Sequence, residues 1–229
     1  MNALQSPGFL SSKSSLGSDI SILFALGYIT LFLVAGHFAR KKQGALHHRM
    51  VLLSLLALAG YLVYYYHVRK MGIKSAIDMA GFSGPDWMRR YAMIPLIYLH
   101  VSVVFLSLYS TLYMAINGFK ARFPMDGGSR MELRTGAAKP SIVLWTAGMI
   151  LAAGIIWILS KSGRIDLTHK VFILALCVVI PMAASVAIHL RYPTLDKRHR
   201  AVGGACLFIY KLLFVTTSSV YLLIYAFIY

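Results

Sequence analysis

From its first residue the chain alternates long apolar stretches with short polar joints that are mostly basic. Residues 1–18 are rich in serine and glycine and predict a short, loosely ordered tail. Six apolar runs follow, over approximately residues 20–37, 50–67, 93–116, 141–159, 171–190 and 204–229. Each is close to the ~20 residues an α-helix needs to cross a bilayer. None alternates with period two, as a barrel strand does, and a backbone in lipid must satisfy its own hydrogen bonds. The pattern predicts an all-α integral membrane protein: a six-transmembrane-helix bundle forming one membrane domain over residues 1–229. Pro95 and Pro181 fall inside the third and fifth runs and predict kinks there.

The joints set the orientation. Lys and Arg number thirteen in the joints after the first, third and fifth runs, and nine in the tail and the joints after the second and fourth. The more basic set belongs in the cytoplasm, which puts both termini outside. Two joints exceed a simple turn. Residues 68–90 hold Gly84-Pro85-Asp86-Trp87, with Trp87 placed at the membrane interface, and residues 118–140 hold Asp126-Gly127-Gly128. Each has room for a short surface helix or a partner contact.

Composition agrees with a bilayer environment: 59% of residues are apolar, 13% are charged and the mean hydropathy is +0.70. The net charge of +16 sits in the joints, where it meets anionic head groups, so nucleic acid is excluded as the partner. Cys177 and Cys206 both lie in apolar runs without a C-x-x-C pair, which reads as core packing. No G-x-S-x-G, P-loop or H-E-x-x-H motif occurs. The seven acidic residues, Asp19 among them, lie outside the runs or at their ends, which excludes proton pumping through buried carboxylates.

The chemistry-bearing residues are histidines. Leu46-His47-His48-Arg49, Leu167-Thr168-His169-Lys170 and Lys197-Arg198-His199-Arg200 stand at the mouths of apolar runs, and His67 and His189 stand at the ends of two others. Imidazole ligates haem iron and copper, so haem (b-type) or copper is the expected cofactor, with a ligand-free scaffold as the plain alternative. Nineteen helical residues span about 28 Å, so His48 and His67 belong to opposite leaflets. His48, His189 and His199 are expected on the cytoplasmic side, with His47 able to replace His48 and His37 a weaker member. His67, His100 and His169 are expected outside. His37, His47 and His169 also suit plain head-group contacts. His100 lies inside its run and is expected to face the protein interior. Lys211 lies within the last run and either snorkels or pairs with a haem propionate or other anion. Thr216-Thr217-Ser218-Ser219 offers interhelical hydrogen bonds or a quinone or haem contact.

His48 precedes His67 by 19 residues and His169 precedes His189 by 20, each pair followed two residues later by Arg69 or Arg191. The spacing fits a 3+3 inverted repeat, although helix ends gather His, Lys and Arg in any case.

The stretch from His47-His48-Arg49 to Tyr66-His67, then His100, then Arg198-His199-Arg200 opening the last helix, resembles the four-histidine bacterial membrane family known as domain of unknown function 420. That family includes the CtaM/YozB-like haem–copper oxidase maturation proteins. The resemblance covers roughly residues 20–118 and 195–229. It implies His48, His67, His100 and His199 as the four histidines, haem–copper oxidase subunits as partners, and the bacterial cytoplasmic (inner) membrane as location. Residues 118–193 depart from the family by two extra helices holding His169 and His189; insertion and second repeat copy are both open. The favoured reading is a respiratory-chain accessory factor for cytochrome oxidase assembly, for which ligand holding suffices and enzymatic turnover is not required. The alternative is a b-type haem electron-transfer subunit passing electrons from quinol.

Overall fold

The protein's structure is a computed structural model, and it describes residues 3–11, 14–73, 84–125, 130–133, 171, 175 and 179–227. Helix α1 spans Leu16–Arg40. It starts four residues before the apolar run because Ser15 adopts an extended conformation and its hydroxyl accepts the Ser18 N–H at 3.2 Å. Its buried positions Ile22, Ala25, Ile29, Phe32 and Gly36 alternate in steps of three and four, which makes one continuous face. The helix ends where Lys42 turns left-handed (φ 59°) and the Gln43 N–H reaches back to the Phe38 carbonyl at 3.0 Å. This is a Schellman-type stop with lysine at the position glycine usually fills.

Helix α2 (Gly44–Lys70) returns antiparallel along α1. Three side chains fix the pairing through α1 carbonyls: His47 Nδ1–H donates to Ala35 at 2.8 Å, Ser54 to Tyr28 at 3.0 Å and Tyr64 to Gly17 at 3.2 Å. Among the described residues of α2 only Ser54, Leu58 and Val68 are buried, while Leu52, Leu53, Leu56, Leu62 and Val63 are exposed. That much bare apolar surface suits hydrocarbon rather than water. The helix stops at Gly72 (φ 75°), where a left-handed backbone costs glycine nothing.

A single turn α3 (Asp86–Met88) and a π-helical turn, Arg89–Met93, lead into α4 (Ile94–Ala121). The Ile94 N–H bonds the Arg89 carbonyl five residues back, shifting the ladder just before Pro95. Pro95 therefore sits two residues after the π-helical turn, inside the long helical stretch Asp86–Phe119. Strands β1 (Arg122–Met125) and β2 (Arg130–Leu133) pair antiparallel, Arg122 opposite Leu133 and Met125 opposite Arg130. This short hairpin lies in the joint over residues 118–140, where a surface helix or a partner contact was expected. Helix α5 (Ile180–Arg191) carries proline in its first turn, and α6 spans Leu195–Phe227.

Apart from the hairpin, the described elements are helical, and four helices are long and apolar enough to cross a membrane: Leu16–Arg40, Gly44–Lys70, Asp86–Phe119 and Leu195–Tyr225. The expected span over 141–159 and residues 172–174 and 176–178 of that over 171–190 lie outside the described residues, as do His169 and Cys177. The tail is not loose where it is described. Residues Ala3–Gln5 form a 3-10 turn, Pro7 bridges Ser15, and the Gln5 amide donates to the Met71 carbonyl at 3.1 Å.

The chain divides into two compact units, Met1–Val101 with Tyr210–Tyr229, and Ser102–Ile209. In the first, Met93 and Ile97 of α4 form an apolar cluster with Val220 and Ile224 of α6, and Phe32 stacks on Tyr210 at 4.0 Å between ring centroids. In the second, the buried Cys206 lies 3.4 Å from the Ser110 hydroxyl. Gly118, bare of a side chain, admits the His199 ring: a Cβ there would stand 3.3 Å from His199 Cε1.

Candidate functional site

One layer inward from the Met93–Ile97–Val220–Ile224 cluster, His100 Nδ1 lies 3.2 Å from Thr216 Oγ1. Ile97 precedes His100 by nearly one helical turn and Val220 follows Thr216 by about one turn, so helix periodicity stacks the polar pair directly under the apolar one. Thr216 is buried and its hydroxyl donates to the Leu213 carbonyl at 3.2 Å. A hydroxyl has a single proton. Both contacts draw on that one proton: where it goes to Leu213, His100 Nδ1 donates to Thr216, and where it goes to Nδ1, the ring hydrogen sits on Nε2. Thr216 is the only polar partner of His100 among the described residues. The ring is half-buried. An imidazole with one nitrogen tied back can present the other to a ligand.

The other imidazoles are dispersed. His67 is exposed in the last turn of α2. His47 is the clamp between α1 and α2 already described, and His48, half-buried beside it, lies inside α2 rather than before it. His37 is exposed, edge-on to Phe38. His199 is half-buried one turn inside α6, and His189 is half-buried at the end of α5. Lys211 is exposed on α6. Among the described residues no three His, Cys, Asp or Glu side chains converge on a point.

No known protein family, curated protein or solved structure matches this chain. The site rests on its own geometry.

Two polar centres escape a reading of the residues alone. Asp19, 0% exposed, accepts from Ser14 Oγ at 2.5 Å, Tyr221 Oη at 2.6 Å and the Leu10 N–H at 2.7 Å, so this carboxylate at a span end is an interior anchor. Arg198, 3% exposed, donates to the carbonyls of Tyr192 at 3.2 Å and His189 at 3.3 Å. It caps α5, placing positive charge where a helix end is negative. The sequence holds a hint of each: Ser14-Ser15 before Asp19 is a capping signal, and Tyr192-Pro193 marks a helix stop that needs a donor.

Proposed function

We propose that the protein is a membrane accessory factor for maturation of a haem–copper respiratory oxidase, holding haem or copper at His100. The observation that carries the reading is the His100–Thr216 pair, an imidazole deep in a long apolar helix whose Nδ1 is tied to a neighbouring helix and whose Nε2 has no polar partner among the described residues. Ionisable side chains at such depth are costly in lipid and are kept for a task. The residues fit the group they would hold: neutral imidazole nitrogen suits iron and copper alike. When bound, that group supplies ligand or redox chemistry. The chain's own part is to orient the ring, keep it neutral and screen it from water.

In this reading the chain has six spans, those over 141–159 and 171–190 joining the four long helices in a bundle with a 3+3 inverted repeat. It sits in a bacterial cytoplasmic membrane with both termini outside. His48, His67 and His199 are further ligands at the helix ends, as the family resemblance suggests, and His169, His189 and Lys211 lie along the same route. The partner is the oxidase itself, met laterally in the bilayer.

The test is a His100→Ala substitution in a host that depends on the oxidase. Oxidase purified from that host is expected to carry less than its full haem and copper, and the accessory protein is expected to co-purify with it. An oxidase with full cofactor content and normal activity in the His100→Ala host removes the proposal.

A further inference from the structure

We propose that the N-terminal loop is an interfacial anchor whose partner is lipid, with Phe9 and Leu10 seated in the head-group layer of the bilayer at the start of α1. The loop is held in place by its polar atoms. Pro7 bridges Ser15, the Gly8 N–H donates to the Ser14 carbonyl at 2.7 Å, and the Leu16 N–H donates to the Ser6 carbonyl at 2.9 Å. Gly8 lies so close to the Ser14 and Asp19 side chains that a Cβ there has no room. The Leu4 carbonyl stands 3.1 Å from where a Gly17 Cβ would be, so the segment also closes over the first turn of α1. The Leu10 N–H donates to the buried Asp19 carboxylate at 2.7 Å. The backbone is thus fixed on both sides of Phe9, yet the Phe9 and Leu10 side chains are 59% and 48% exposed. Leu4, in the same segment, is half-buried.

Depth decides what these two side chains meet. The apolar run of α1 begins at Ile20, directly after Asp19. A helical side chain leans toward the helix N-terminus, so the Asp19 carboxylate stands level with the first turn, where Ser14 also reaches it. Four or five residues at 1.5 Å each put the Leu10 backbone about 6–8 Å beyond Ile20. A head-group layer is about 5–8 Å thick, so the loop lies within it. On α1 itself Leu23 and Phe24 are exposed about one turn below Asp19, and the apolar surface of the helix continues up to the loop. At this level an aromatic and an aliphatic side chain leave water for the boundary between head groups and acyl chains. Two side chains fall far short of the ~800 Å² per partner that a stable protein interface buries, which favours lipid as the occupant. The anchor needs no ligand at His100, so its fate and that of the maturation reading are separate.

The experiment uses the full-length protein in phosphatidylcholine vesicles, as wild type and with Phe9→Trp or, separately, Leu10→Trp. Subtracting the wild-type signal removes the fluorescence of Trp87, Trp145 and Trp157. The vesicles carry bromine either near the top of the acyl chains or near their ends, and aqueous iodide serves as the opposing quencher. The added indole should be quenched at least about twofold more by shallow bromine than by deep, and at least about fivefold less by iodide than free tryptophan is. In cells, benzoylphenylalanine placed at position 9 should give lipid adducts on illumination. Iodide quenching equal to that of free tryptophan, without bromine quenching, shows side chains in water and overturns the anchor. Stronger quenching by deep bromine overturns the interfacial depth. A single protein adduct in place of the lipid adducts overturns lipid as the occupant.

Discussion

Tyr221→Phe removes one hydroxyl from the chain, yet it cuts a link between Asp19 and a residue 202 positions away. The bond is 2.6 Å long and ends on a carboxylate that also accepts from Ser14 at 2.5 Å and Leu10 N–H at 2.7 Å. Hydrogen bonds to charged groups contribute about 1.5–3 kcal/mol. Two donors remain on Asp19 after the change, so the loss belongs at the lower end, about 1.5–2 kcal/mol. Asp19→Ala does more. Ser14 can still serve the Ser11 carbonyl, 2.9 Å away, but the Leu10 N–H and the Tyr221 hydroxyl lose their acceptor, for about 3–5 kcal/mol. Asp19→Asn should be much milder than Asp19→Ala. Its two amide hydrogens can serve the Ser14 and Tyr221 oxygens while its carbonyl takes the Leu10 N–H. Thermal unfolding of the single and double variants in detergent micelles gives the Asp19–Tyr221 coupling directly, expected at about 1.5–2 kcal/mol. Hydrogen exchange adds a local readout, because the Leu10 amide should lose protection in Asp19→Ala and keep most of it in Asp19→Asn. A coupling under about 0.5 kcal/mol, the level at which independent sites add, refutes the anchor. So does a Leu10 amide whose exchange ignores Asp19→Ala.

Three further changes follow from the same geometry. Lys42→Gly relieves a left-handed backbone at φ 59° and should stabilise the α1–α2 hairpin by about 1 kcal/mol in the same unfolding assay. Gly8→Ala places a Cβ into the Ser14 hydroxyl and the Asp19 carboxylate, so limited proteolysis should cut the N-terminal segment faster than in the wild type. Arg198→Lys keeps the charge but loses the two-pronged reach onto the Tyr192 and His189 carbonyls, and unfolding should show a loss of about 1–3 kcal/mol; a change under 0.5 kcal/mol shows that those carbonyls have other donors available.

The apolar runs 20–37, 50–67 and 93–116 fall inside the first three long helices, Leu16–Arg40, Gly44–Lys70 and Asp86–Phe119, because length and hydropathy mark what can cross a bilayer. Boundaries slipped where polar side chains act. Ser15 starts α1 before the apolar residues begin, and α6 starts at Leu195, so Lys197-Arg198-His199-Arg200 lies inside a helix of 33 residues rather than at its mouth. At 1.5 Å per residue such a helix runs about 50 Å, longer than the hydrocarbon core, and its basic first turns can stand in the head groups. Pro95 was legible as a breaker, but not the π-helical turn that precedes it. Among candidate ligands, the depth of His100 was readable by counting residues within the run. Its tautomer was not, because that depends on Thr216, 116 positions away, and on where the Thr216 hydroxyl sends its proton. Asp19 and Arg198 were misjudged for a related reason: a charged residue at a span end reads as solvated until its partners from other segments are known.

The α1–α2 hairpin shows why polar atoms carry so much of this fold's information. In water, a helix turns its apolar face inward because the alternative exposes it. In lipid that preference vanishes, since hydrocarbon receives Leu52, Leu56 and Val63 as readily as a protein core does. Helix α2 is apolar on most sides, so burial alone leaves its rotation and its register on α1 undetermined. The three bonds onto α1 carbonyls remove that freedom. His47 acts near one end, Ser54 in the middle and Tyr64 toward the other, and all three demand the same rotation and the same antiparallel register. A slide of one turn would carry each donor about 5.4 Å from its carbonyl and break all three at once. The His100–Thr216 bond plays the same part between α4 and α6, which joins structure to chemistry: the contact that registers the two helices is also the one that holds the imidazole ring in place.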